Sequence, residues 1–65
     1  MWMVVGVANN QSMADRMQNV LENEGMLVKI RNASVRAKQQ GSTFEIMVLE
    51  SEADFAREVL LDNGF

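Results

Sequence analysis

The sequence predicts a small α+β domain with the element order β-α-β-β-α. Three short segments rich in Val, Ile and Phe, two segments with apolar residues at helical spacing, and Asn or Gly at the junctions carry that expectation. With 65 residues the chain forms one domain, residues 1–65, near the lower limit for folding without staples.

Trp2-Met3-Val4-Val5-Gly6-Val7 is apolar and Val-rich, which predicts a largely buried first strand. Asn9-Asn10 breaks it, and Asn10 suits a helix N-cap. Ser12, three residues before Asp15, offers an alternative cap. Met13, Met17, Val20 and Leu21 then fall at i, i+4, i+7 and i+8, one helical stripe. Gly25 is the expected terminating glycine. From Leu27 to Arg31 the chain alternates, Val28 and Ile30 pointing one way and Leu27, Lys29 and Arg31 the other. Asn32–Ser42 is polar, with Gly41-Ser42 as its turn signal. Phe44, Ile46 and Val48 form one face of a third strand, and Glu45, Met47 and Leu49 the other. Ser51, with Asp54 in the box position, is expected to cap a second helix; Ala53, Phe55, Ala56, Val59 and Leu60 supply its apolar side and Gly64 ends it.

A right-handed crossover from strand one to strand two leaves a gap that strand three fills by hairpin return. The predicted architecture is a ferredoxin-like βαββα fold, a three-stranded sheet of order 1-3-2 with two helices on one face. Relative to the complete motif it lacks a final strand, so strand one stands at the sheet edge. Trp2–Val7 contains neither proline nor charge to discourage edge pairing. A second copy of the same strand is the simplest cover, which predicts a homodimer, with another protein as the alternative partner. Trp2, Val4, Val5 and Met47 are the expected interface residues. Leu27, Met47 and Leu49 also make the helix-free sheet face partly apolar, together with either Trp2 and Val4 or Met3 and Val5.

The stretch VKIRNASVRAK gathers Lys29, Arg31, Arg36 and Lys38, four of the six basic residues, while Arg16 and Arg57 stand among nine acids. These four side chains can converge on the phosphate or carboxylate of a small anionic metabolite. The structural alternative is that Glu45 pairs with Lys29 or Arg31 across the ladder. No glycine-rich phosphate loop accompanies the cluster.

The chain has no His, Cys or Tyr, which removes the commonest nucleophiles, bases and metal ligands. Glu50, Glu52 and Asp54 suit the dipole of the second helix without needing a metal. The expectation is therefore a non-catalytic regulatory or interaction module with no cofactor. A net charge of −3 and few aromatic residues disfavour nucleic acid. The absence of cysteine, of a signal peptide and of a membrane-length apolar run points to the cytoplasm.

Two segments, NNQSMADRMQNVLENEGMLVKIRN and FEIMVLESEADFAREVLLDNG, resemble a family of small bacterial proteins described as signal-transducing and of unknown function. They cover most of the chain and leave Ala33–Ser42 unmatched. The resemblance implies a compact α+β fold related to ferredoxin-like regulatory modules, and it supplies no ligand and no catalytic residue. Some small clostridial look-alikes carry the label glutamate decarboxylase. Pyridoxal-phosphate chemistry needs a lysine Schiff base and a pocket enclosing cofactor and substrate, which a chain this short does not provide.

Overall fold

Described over residues 1–33 and 43–65, the computed structural model has strand β1 at Trp2–Ala8, helix α1 at Gln11–Asn23 and strand β2 at Lys29–Asn32. Strand β3 follows at Phe44–Leu49, and a 3-10 turn at Glu50–Glu52 leads into helix α2 at Ala53–Asp62. β3 pairs antiparallel with both other strands, giving the expected order β1-β3-β2. The expected turn at Gly41-Ser42 lies outside the described residues.

The alternation in β3 decides what the sheet buries. Phe44, Ile46 and Val48 are buried and meet both helices in a single core cluster, while Glu45, Met47 and Leu49 are half-buried on the opposite face. Ala14, Met17 and Leu21 reach that core from α1, and Ala53, Ala56, Val59 and Leu60 from α2. Phe55 departs from expectation, with 47% of its surface exposed. It lies about 200° around the helix from Ala53, off the buried stripe.

Both helix ends follow the same physical rule. Gly25 takes φ +87° and Gly64 φ +86°, the left-handed conformation that glycine adopts without steric penalty. The Gly25 and Met26 amides donate to the Glu22 and Leu21 carbonyls at 2.9 and 3.3 Å. The Gly64 and Phe65 amides donate to the Leu61 and Leu60 carbonyls at 3.1 and 2.9 Å. These paired bonds satisfy otherwise orphaned carbonyls and turn the following apolar side chain, Met26 or Phe65, back onto the core.

At the starts, one expectation holds and one is corrected. Asn10 is extended, and its Oδ1 accepts from the Met13 amide at 2.7 Å, so Asn10 rather than Ser12 caps α1. Ser51 caps nothing. The chain enters the 3-10 turn directly from Leu49, so Ser51 already lies inside a helical turn, and no side-chain cap bond forms there or at α2. β2 also starts at Lys29 rather than Leu27, because Leu27 and Val28 bridge the end of α1 to the sheet. It continues through Asn32, and the Ala33 amide donates to the Thr43 carbonyl at 2.8 Å.

β1 departs from simple alternation. Val4 stands opposite Met47 and Gly6 opposite Ile46, so Val5 is an extra residue in a bulge. The bulge sets Val5 toward the core and lets Ala8 be fully buried beyond it, while Val7 stays half exposed.

Candidate functional site

The two edges of the sheet are built differently. β2 has four residues and exposes Lys29 and Arg31, a short charged edge of the kind that resists further pairing. β1 has seven residues and no charge. Its one protective device is the bulge, which the sequence did not reveal.

The hydrogen-bond phase of β1 follows from one contact. The Glu50 amide donates to the Met1 carbonyl at 2.8 Å. Bonded pairs alternate along an antiparallel ladder, so Met3 bonds Val48 while Trp2 and Val4 turn their backbone groups to the free edge.

Along this edge runs an apolar groove of about 290 Å³. Val5, Gly6 and Val7 contribute from β1, Met13 and Met17 from α1, and Leu60, Leu61 and Arg57 from α2, with Phe65 beyond that helix's end. No β2 or β3 residue lines it, so it lies between the edge strand β1 and the two helices. Gly6 is essential to its shape, since a Cβ there would sit 2.5 Å from Met17 Cε and 3.4 Å from Leu60 Cδ1. The groove has a basic rim. Arg57 reaches over β1, its guanidinium 3.6 Å from Met3 Sδ and 3.3 Å from the exposed Asp54 carboxylate. Arg16 places its guanidinium 5.3 Å from the centroid of the Phe65 ring.

The four expected interface residues divide. Trp2, Val4 and Met47 share the helix-free face, with Val4 directly opposite Met47. Val5 packs against the core instead. The choice between Trp2 with Val4 and Met3 with Val5 is thereby settled for the first pair on that face.

The basic cluster divides too. Arg31 stands opposite Glu45, and its Nε donates to the carboxylate at 2.6 Å, with a second contact from Nη2. The Lys29 ammonium lies over Trp2, 5.3 Å from the ring centroid. A cleft of about 310 Å³ beside Arg31, Asn32 and Ala33 includes Glu45, whose carboxylate repels an anion. Arg36 and Lys38 lie outside the described residues.

Sequence reasoning missed Arg16, Arg57, Gly6 and Phe65 as site residues. Its one available signal was that Arg16 and Arg57 are the only basic residues outside the VKIRNASVRAK stretch. Among the described residues no group of three or more His, Cys, Asp or Glu is placed to hold a metal, and no helix is long and apolar enough to cross a membrane. No family model, curated protein or solved structure matches the chain.

Proposed function

We propose that the chain is a non-catalytic, ferredoxin-like interaction module that assembles by adding a protein strand to β1. The observation that carries this reading is the free edge of β1: seven uncharged residues, with the Trp2 and Val4 backbone groups turned outward beside an apolar groove. An added strand gains main-chain hydrogen bonds from such an edge and side-chain selectivity from the adjoining pocket. In the simplest case the strand comes from a second copy of the chain.

Sedimentation velocity on wild type and Val4→Pro tests the reading. Proline at Val4 removes an outward donor and spares the β3 ladder, a substitution edge strands tolerate. If the strand comes from a second copy, wild type forms dimers as its concentration rises and Val4→Pro remains a folded monomer. A dimer unchanged by Val4→Pro contradicts assembly through this edge; a wild-type monomer at all concentrations removes the second copy as partner and leaves a foreign strand.

The alternative reading is a sensor of a small anion at Lys29, Arg31, Arg36 and Lys38. It requires the ligand to displace Glu45 from Arg31 and the Trp2 ring from Lys29. A rise in melting temperature with phosphate or dicarboxylates, lost on Arg31→Ala, would favour it.

A further inference from the structure

The two basic residues that stand apart from the hairpin cluster are forty-one positions apart in sequence, yet the fold brings both to one groove. Arg57 lines it, and Arg16 lies over the ring of Phe65, another lining residue. The remaining charges outside the VKIRNASVRAK stretch are all acidic. A basic rim on an apolar floor is therefore local to this edge of an acidic chain.

The chemistry of each arginine fits recognition of carboxylates. The Arg16 guanidinium lies over the Phe65 ring, a cation–π contact that uses none of its N–H donors, and no carboxylate among the described residues pairs with it. Among the described residues the only carboxylate bonded to Arg57 is Asp54, which is fully exposed and therefore competes weakly with an incoming acid.

The floor specifies the rest. A volume of about 290 Å³ lies at the small end of the roughly 300–1,000 Å³ occupied by small-molecule sites, enough for one or two side chains. The groove begins at Val5, next along β1 to Val4, whose backbone groups turn outward, so its natural occupant is extended chain. In a strand beside β1 alternate residues face the helices, and successive ones on that face are roughly 7 Å apart.

We propose that the free edge and groove of β1 bind an extended segment of another protein, in which one apolar side chain enters the groove and carboxylates two residues to either side meet Arg16 and Arg57. The proposal rests on the assembly edge inferred above and adds the identity of the strand. A second copy fits the groove less well: β1 has no acid, and pairing it with itself about a two-fold axis brings both copies of Arg57 to the same seam.

The test uses two capped peptides, Thr-Glu-Thr-Leu-Thr-Glu-Thr and Thr-Lys-Thr-Leu-Thr-Lys-Thr, titrated into the isotopically labelled full chain and followed by NMR. The acidic peptide is expected to bind saturably and to move the Val4, Gly6 and Phe65 amides. The Lys peptide is expected to bind about tenfold more weakly, and Arg16→Ala/Arg57→Ala to lose about tenfold for the acidic peptide alone, with its salt dependence. Gly6→Val, which fills the groove and leaves both arginines, should weaken both peptides together.

Equal binding of both peptides at β1 overturns the acidic specificity and leaves the assembly edge standing. Binding of neither peptide, with no response at Val4, overturns both. Shifts confined to Met47 and Leu49, displacement of the acidic peptide from the groove by octanoate without change at Val4, or a dimer that seals the groove also overturn the proposed partner.

Discussion

The Lys29 ammonium lies 5.3 Å from the centroid of the Trp2 ring, so a cation on one edge strand is held by an aromatic on the other. The contact crosses β3 on the helix-free face and gives Lys29 a structural role. Lys29→Met keeps the apolar stem and removes the charge. It should cost about 0.5–1 kcal/mol, as expected for a cation–π contact near the surface. Urea unfolding followed by Trp2 fluorescence measures it, and an unchanged midpoint would show that ring and ammonium are uncoupled.

Arg31 and Glu45 form the second cross-strand contact, partly exposed and therefore screened. A double-mutant cycle with Arg31→Ala and Glu45→Ala should give a coupling of about 0.2–1 kcal/mol. At about 1 M NaCl that coupling should shrink towards zero, because the Debye length falls to a few ångströms. A coupling indifferent to salt would mean that packing, not charge, joins the pair.

Gly6 and Met17 occupy the same space in complementary fashion. A Cβ at Gly6 would meet Met17 Cε at 2.5 Å, and that atom is the far end of a flexible side chain. Gly6→Ala should destabilise by about 1 kcal/mol, the low end of overpacking, as Met17 turns aside. Combined with Met17→Ala, the loss should be smaller than the sum of the single losses, because the shortened side chain relieves the overlap. Strict additivity would contradict this packing.

Gly25 isolates the backbone contribution, since an added Cβ there has no neighbour within 4 Å and φ is +87°. Gly25→Ala should cost about 1 kcal/mol through conformation alone. Gly25→Asn should cost less, because Asn tolerates the left-handed region better. Equal losses in the two variants would argue against a left-handed Gly25.

Ile46, fully buried on the central strand, sets the scale of the core. Ile46→Ala should cost about 2–5 kcal/mol, comparable with the roughly 3–5 kcal/mol that a core of this size supplies. The variant should therefore be largely unfolded by circular dichroism at 25 °C. A cooperative transition near that of wild type would show that other contacts carry the fold.

The sheet order and both helix stops were legible because local signals agreed with tertiary burial. Gly25 and Gly64 stand where positive φ is needed, and Phe44, Ile46 and Val48 alternate with partners on the open face. The bulge at Val5 was not legible. Two valines and a glycine satisfy either register, and only the requirement to bury Ala8 opposite Phe44 selects one. Ser51 misled because the capping pattern carries no information on whether a 3-10 turn precedes the helix. The rim arginines were visible as charges, but pairing Arg16 with Phe65 depends on the Gly64 turn that brings the ring back to the core.

Amide hydrogen exchange at Val4 tests the central claim most directly, because this amide points away from β3 while that of Met3 points toward it. In the dilute protein Val4 should exchange rapidly and Met3 slowly, and on saturation with a strand partner Val4 alone should gain strong protection. A Val4 amide already protected in the dilute monomer, or one unmoved when a partner binds, would contradict β1 as the proposed assembly edge.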